Sequence, residues 1–217
     1  MERPHRLHRI RATSPLLLLA VAGNAFAAPT LPDPRMCLVE ERVVGCPSGD
    51  PLPACPSLAL SEPGFTVRVR DVNNAPVTNT VTVLRFTDPA IRLYEDLRPG
   101  TTVDCINRSL RRMTDSQGWV TFSPRISGTS AAPVAAELSA MTIVFGEVPV
   151  TTTDLDGDQF TGLSDFVIVA THYASHSSDR RTDYDGCVDP VDGATTLADL
   201  VLFATQFGRP APDGICN

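Results

Sequence analysis

The sequence predicts a mainly β sandwich over residues 63–150, followed by a small all-α unit of two loop-helix repeats over residues 151–217. Two observations carry this prediction. Up to residue 150, apolar and polar residues alternate in short runs bounded by turn residues, which is typical of half-buried strands. After that point, an acidic loop followed by an apolar helical stripe occurs twice, at an offset of 34 residues.

The first 27 residues have the pattern of an export signal. Four Arg residues precede a short apolar run from Leu16 to Ala22, and Ala25-Phe26-Ala27 gives the small-x-small pattern that a signal peptidase needs. The apolar run is far too short to span a bilayer. We therefore expect cleavage after Ala27 and a secreted chain, extracellular or at the cell surface, with no membrane span in its mature part.

The charge of the chain disfavours a nucleic-acid partner. All 18 basic residues are Arg, the formal net charge is −7, and loss of residues 1–27 makes it about −10. Nucleic-acid binding needs cationic side chains that neutralise phosphates. The mature chain also keeps only His172 and His176 as histidines, which leaves few candidates for a catalytic base.

Residues 28–62 form a segment rich in Cys and Pro, with a strand candidate at residues 42–44 that we expect to join the sandwich in part. Turn residues at 71–76 and 114–118 separate later apolar runs. Short strands with turns between them and no helical stripe predict a β-sandwich. The remaining strand candidates are residues 65–70, 80–86, 119–122, 134–138 and 141–148.

Two motifs in this region resemble bacterial immunoglobulin-like domains of the invasin and intimin kind. Residues 67–77 follow the pattern VxVxDxxxxPV, and residues 114–122, TDSQGWVTF, follow the pattern TDxxGxxxF. The resemblance covers roughly residues 60–150, and carboxypeptidase regulatory-like sandwiches share both features. It implies an immunoglobulin-like β-sandwich that serves as a spacer or adhesion module.

The composition changes abruptly at about residue 151. Residues 151–217 contain 11 Asp, no Glu and three Arg. This change predicts a domain boundary at about residue 151, with the candidate ligand residues in the acidic part.

A twelve-residue loop in the acidic part has the spacing of a calcium site. Calcium takes six to eight oxygen ligands, which alternating carboxylates on a tight loop and a closing carboxylate can supply. The sixth position, which is usually Gly because the turn needs a positive φ, is Gln159 here. The predicted ligands are Asp154, Asp156, Asp158, the backbone carbonyl of Phe160, and Asp165.

The same pattern recurs 34 residues later. Residues 161–173 match residues 195–207, whereas the first acidic residues match at an offset of 29, because the second loop carries an insertion at residues 187–191. A repeated pattern argues against an acidic loop that is merely solvated. The ligands predicted for a second Ca²⁺ are Asp183, Asp185, Asp192, the carbonyl of Ala194, and Asp199.

A helix follows each loop, over residues 165–173 and 199–207, and Phe166, Val169, Ala170 and Tyr173 form an apolar stripe on the first. A loop with an exiting helix only, twice in tandem near a C-terminus, resembles the type I dockerin domain with its EF-hand-type loops. The resemblance covers residues 153–208. It implies two antiparallel loop-helix units, two Ca²⁺ ions and, in that family, docking onto a cohesin partner.

In dockerins, the residues at loop positions 10 and 11 often contact cohesin, and the resemblance places Leu163, Ser164, Leu197 and Ala198 there. The family usually has more polar residues at these positions. The alternative, which we favour, is that Leu163 and Leu197 pack between the two helices.

The six cysteines are expected to form disulfides, because the count is even and the chain is exported. Zinc is disfavoured by the absence of any C-x-x-C pair. Cys187 and Cys216 flank the second loop-helix unit, and we expect them to pair. That leaves Cys105 to find a partner in the N-terminal group, Cys37, Cys46 or Cys55, with three pairings open.

The mature sequence contains no G-x-S-x-G elbow, H-E-x-x-H helix, glycine-rich phosphate loop or S-x-x-K motif. The adjacent acids Glu95 and Asp96 are expected to lie in a solvated loop. The hypothesis is therefore a secreted, non-catalytic interaction protein whose partner is a cohesin-like protein or a second copy of itself. The alternatives are an accessory subunit of a polysaccharide-degrading complex, with the sandwich contacting glycan, and a self-assembling extracellular filament.

Overall fold

The computed structural model describes residues 30–40, 43–45, 64–130, 132–179, 181–184, 194–210 and 216. The expected signal peptide, Cys46, Cys55, Asp185, Cys187 and Asp192 lie outside these residues. The described chain is mainly β, with two helices near its C-terminal end, and neither is long and apolar enough to cross a membrane. The elements are β1 (Leu38–Val39), β2 (Val43–Gly45), β3 (Phe65–Arg68), β4 (Val81–Phe86), β5 (Arg92–Asp96), β6 (Thr102–Asp104), β7 (Ser109–Met113), β8 (Trp119–Phe122), β9 (Pro124–Ser127), β10 (Ala136–Ala140), β11 (Ile143–Val148), β12 (Val150–Thr152), α1 (Leu163–Ser175) and α2 (Leu197–Gln206).

Antiparallel sheets enclose one large core. The largest sheet has the order β11-β10-β4-β7-β6, and a second has the order β1-β3-β8, while β5 pairs with β9. In β4, Thr82, Leu84 and Phe86 are buried and alternate with more exposed residues, as the pleat of a strand requires. Val67 and Phe122 of the second sheet belong to the same buried cluster as Leu84. The prediction of a mainly β fold before residue 150 is confirmed.

The two predicted turns are each built on an aspartate. The Asp71 carboxylate accepts hydrogen bonds from the amides of Asn73 and Ala75, both at 2.9 Å. Asp115 accepts from the amides of Gln117 at 2.7 Å and Trp119 at 2.9 Å. Such side-chain bonds to the backbone two to four residues ahead explain why Asp marks both turns in the sequence.

Other strand predictions are correct only in part. The run at residues 119–122 coincides with β8, whereas β10 begins at Ala136 and ends at Ala140. Strand β11 begins at Ile143 because Met141 and Thr142 adopt left-handed conformations with φ of 49° and 67°. The solvated loop expected at Glu95 and Asp96 is wrong. Both residues end β5, which is paired with β9, and Asp96 accepts a 2.9 Å hydrogen bond from the Ser123 amide.

The acidic part of the chain is joined to the sandwich through β12. This strand runs across residue 151 and pairs in parallel with β2, in the register Thr151 with Val44. The Thr152 hydroxyl donates to the carbonyl oxygens of Gly128 and Asp154. A second small core, which contains Leu155, Val169, Tyr184 and Phe203, has Val44 of β2 packed against it.

The expected Cys187–Cys216 disulfide is wrong, because Cys216 is bonded to Cys105. Cys105 follows β6 in a turn of the sandwich, and its Cα lies 5.1 Å from that of Cys216. The partner expected for Cys105 in the N-terminal group is therefore also wrong. The 111-residue separation of the two cysteines explains the error, since only the tertiary fold brings the end of the chain to this turn. Cys37 carries a free thiol.

Candidate metal-binding loops

The first predicted loop lies between β12 and α1, and it gathers its four acidic side chains around one point. One carboxylate oxygen from each of Asp154, Asp156, Asp158 and Asp165 lies within 4.8 Å of the other three. Asp154 and Asp165 are buried, whereas Asp156 and Asp158 are exposed, so the cluster has a protein side and a solvent side. The carboxylates that the sequence predicts as ligands thus come together in the fold.

The backbone of the loop curls because two residues adopt left-handed conformations. Gly157 has φ of 80°, and Gln159 at the sixth position has φ of 75°. The sequence predicts a positive φ at this position, where a non-glycine residue is strained by about 1–2 kcal/mol. The Asp158 carboxylate accepts a 2.8 Å hydrogen bond from the amide of Phe160, the residue predicted to offer its carbonyl.

Asp154 is held by backbone amides from two parts of the chain. Its oxygens accept hydrogen bonds from the amides of Gly157 at 2.8 Å, Gln159 at 3.0 Å and, from the sandwich, Gly128 at 3.2 Å. These bonds favour the charged carboxylate, but burial outweighs them and raises its pKa to about 6. A bound cation would remove this penalty by compensating the buried charge.

Asp165 closes the loop from the first turn of α1. It accepts hydrogen bonds from the amides of Leu155 at 2.5 Å, Asp156 at 3.1 Å and Gly162 at 2.8 Å. Burial raises its pKa as well, against the effect of these three bonds. The same side chain therefore ties both ends of the loop to the start of the helix and contributes an oxygen to the cluster.

The second loop repeats this arrangement at the ends that the structure describes. Asp199 accepts from the amides of Tyr184 at 2.5 Å and Thr196 at 2.7 Å, which correspond to Leu155 and Gly162 in the first loop. Asp183 is buried, as Asp154 is, and Ala194 is half-buried. Asp185 and Asp192 are outside the described residues, so their predicted role as ligands stays a prediction.

The sequence analysis missed a pair of threonines that closes each loop. The hydroxyls of Thr153 and Thr161 are 2.9 Å apart, and those of Thr182 and Thr195 are 2.7 Å apart. All four residues are buried. A signal was present, because each loop has Thr directly before its first Asp and a second Thr four residues before its closing Asp. No local signal indicates Gly128, which contacts the loop from 26 residues away.

The predicted helices exist and start two residues earlier than expected, at Leu163 and Leu197. Val169 and Phe203 are buried between them, and the Phe166 ring centroid lies 6.3 Å from that of Phe203. Of the predicted stripe, Val169 is buried and Ala170 is half-buried, whereas Phe166 and Tyr173 are each 38% exposed.

The expected packing of Leu163 and Leu197 between the helices is wrong. Their side chains are 69% and 61% exposed, and each is the first residue of its helix. Their neighbours Ser164 and Ala198 are exposed as well. One turn further along, Val167 and Val201 are 55% and 57% exposed, so that each helix begins with an exposed apolar pair. We call each of these pairs a helix-start surface: Leu163 with Val167 on α1, and Leu197 with Val201 on α2.

No family of known proteins and no curated protein matches the chain. Among solved structures, the chain is similar to a chain from a type II cohesin–X-dockerin complex of Acetivibrio cellulolyticus, crystallised as a C-terminal interface mutant. The sequences are 16% identical, and the similarity covers 78% of this chain and 95% of the other, with a TM-score of 0.22. At that score the likeness carries no argument about function.

Proposed function

We propose that this chain is a secreted, non-catalytic protein whose C-terminal part binds Ca²⁺ and, in that state, docks onto a partner protein. In this proposal, residues 151–217 act as a dockerin-like domain of two loop-helix units, with Ca²⁺ as the resident cofactor of both loops. The preceding sandwich acts as an immunoglobulin-like module that carries the docking part.

The four converging carboxylates of the first loop are the observation that supports Ca²⁺ binding. The cluster offers oxygen atoms only, and hard cations such as Ca²⁺ prefer oxygen ligands. Two of the carboxylates, Asp154 and Asp165, are buried, and burial raises the pKa of both because it disfavours their charged forms. Asp156 and Asp158 face solvent, which gives an ion a path into the loop.

The helix-start surfaces support docking onto a protein. Each places two exposed apolar residues four positions apart on one helix face, and the 34-residue repeat makes the two surfaces equivalent in sequence. Neighbouring exposed apolar residues are typical of interaction sites. The resemblance to dockerins makes a cohesin-like protein the proposed partner, and self-association is the competing outcome.

The sandwich offers less support for a glycan-binding role. Among the described residues, the most exposed aromatic side chains are Phe160, Phe166, Tyr173 and Phe207, and all of them follow residue 150. Glycan-binding faces need exposed aromatic rings, and the sandwich keeps Phe65, Phe86 and Phe122 in its core. We therefore propose that the sandwich serves as the module that carries the docking part.

Calorimetric titration of Ca²⁺ into the full chain tests the cofactor. We expect two binding events, and we expect the paired change Asp156→Asn and Asp158→Asn to weaken one event by at least about tenfold, since it removes two ligand charges. Asp115→Asn is the matched control, because Asp115 forms the same kind of turn in the sandwich. Absence of any Ca²⁺ binding to the unaltered chain would overturn the proposal.

Docking is tested by adding a purified type I cohesin module, in Ca²⁺ and in EDTA, and by sedimentation of the chain alone. We expect a complex in Ca²⁺ that is lost when Leu163 and Leu197 are both changed to Asp. Val72→Asp is the matched control, since Val72 is 61% exposed but lies in a sandwich turn. Self-association without cohesin binding would replace the proposed partner with a second copy of the chain. If neither cohesin binding nor self-association occurred, the docking part of the proposal would be overturned and Ca²⁺ binding alone would remain.

A further inference from the structure

The chain that leaves α2 returns to the first loop before it reaches the sandwich. We call residues 207–210 together with Cys216 the C-terminal tail. Within it, the Gly208 amide donates a 2.8 Å hydrogen bond to the Thr161 carbonyl, and the Arg209 carbonyl accepts a 3.2 Å bond from the Thr161 amide. Pro210 forms an isolated antiparallel bridge with Phe160. The tail thus pairs with the last residues of the first loop.

The second loop has an equivalent contact with a different origin. The amide of Thr195, which matches Thr161 in the repeat, donates a 3.0 Å hydrogen bond to the carbonyl of Ser177. Ser177 lies two residues after the end of α1 and belongs to the connection that leads into the second loop. Each loop is therefore held by the segment that follows the other helix, and the segment on the first loop leads to the Cys105–Cys216 disulfide.

The disulfide sets the tail apart from an ordinary chain end. A two-residue antiparallel contact is marginal by itself, and the last residues of a domain fray unless they are tied down. Cys216 is bonded to Cys105 in the turn that follows β6, so the tail is fixed covalently to the sandwich beyond its contact with the loop. Fixing the far end of a segment raises the effective concentration of its contacts.

We propose that the Cys105–Cys216 disulfide is a clasp that holds the C-terminal tail on the first loop, so that the geometry of this loop depends on a covalent bond to the sandwich. The contact of the second loop with Ser177 does not pass through this bond. The first loop is then supported by the sandwich on two sides, through Gly128 at Asp154 and through the clasped tail at Phe160 and Thr161.

Amide hydrogen exchange measured by NMR on the full chain, in EDTA, tests the clasp without any cation. In the double variant Cys105→Ser and Cys216→Ser, we expect the amides of Thr161 and Gly208 to exchange at least about tenfold faster, because local opening becomes easier. The Thr195 amide is the internal control and should change less than about threefold.

Two comparisons keep the test specific. Cys37→Ser removes a free thiol that the tail does not use, and it should leave all three exchange rates unchanged. The Leu84 amide, in the centre of β4, reports global unfolding in every variant. Unchanged exchange at Thr161 and Gly208, or equal acceleration at Thr195, would overturn the clasp.

The clasp also has a consequence for Ca²⁺ binding, which rests on the proposed function and is measured separately by calorimetric titration. In the double variant Cys105→Ser and Cys216→Ser, we expect the Ca²⁺ affinity of the first loop to fall about tenfold, because this loop loses the support of the tail. The affinity of the second loop should change by less than about threefold. Equal weakening of both events would overturn the coupling of clasp and site. A chain that takes up no Ca²⁺ would overturn the proposed function, while the exchange data would still decide on the clasp.

Discussion

The buried Asp154 makes Ca²⁺ affinity depend on pH in a window that the structure specifies. Without a cation, burial raises the pKa of this carboxyl from 3.8 to about 6, although three backbone amides donate to it. A carboxylate that binds Ca²⁺ must lose its proton, so the cation and the proton compete. Affinity should therefore be full above pH 7 and fall as the pH drops through 6.

The magnitude follows from the pKa. At pH 5, one unit below the pKa of Asp154, about 90% of these carboxyls carry a proton, which lowers the apparent affinity about tenfold, or about 1.4 kcal/mol. About 0.9 proton should then leave Asp154 for each ion bound at pH 5, against almost none at pH 7.5. The raised pKa of Asp165 acts in the same direction.

Calorimetric titration at one pH in two buffers of different ionisation enthalpy counts the released protons. Glu40→Gln is the control, because Glu40 is a buried carboxyl in the sandwich whose pKa is raised to about 7 and titrates in the same window. Its removal should leave the proton count unchanged. Two results together would refute the assignment of Asp154 as a ligand whose pKa burial raises to about 6: an equal Ca²⁺ affinity at pH 7.5 and pH 5, and the release of less than about 0.3 proton per ion at pH 5.

Two further predictions concern stability and are measured by denaturant unfolding. Phe203→Ala should cost about 3–5 kcal/mol, because this ring is 1% exposed at the centre of the small core, whereas Phe207→Ala, at 48% exposure, should cost less than about 1.5 kcal/mol. Gly128→Ala should cost more than about 2 kcal/mol, since φ is 86° and the new Cβ would collide with the Ala90 carbonyl. Gly100→Ala, at φ of 83° with open space around it, should cost only about 1–2 kcal/mol. If the two Phe variants, or the two Gly variants, lost the same free energy of unfolding, the packing described would be contradicted.

Features encoded by neighbouring residues were predictable from the sequence. The alternation in β4, the position of β8, the Asp-based turns and the existence of both helices all depend on contacts within a few residues. The convergence of the four carboxylates belongs to the same class, because a twelve-residue loop with alternating Asp has few ways to fold around a point.

Features that depend on distant partners were not predictable. Strand β7, SLRRM, has two adjacent Arg residues and no clear alternation, and it becomes a strand because β4 and β6 pair with it on both sides. The Cys105–Cys216 bond and the contact of Gly128 with Asp154 likewise join residues that only the sandwich brings together. The exposure of Leu163 was missed because an apolar residue near a helix start looks the same in sequence whether it is buried or not.

The two loops also show how an insertion can be tolerated. The second loop is five residues longer than the first, yet Thr182 and Thr195 approach each other as Thr153 and Thr161 do. Asp199 accepts hydrogen bonds from the amides of Tyr184 and Thr196, which correspond to two of the three amides that bond to Asp165. Lengthening a loop whose ends are already closed adds little entropy cost, since that cost grows only with the logarithm of length. Closure at the ends therefore lets both loops start a helix at the same point, whatever the length of the segment between.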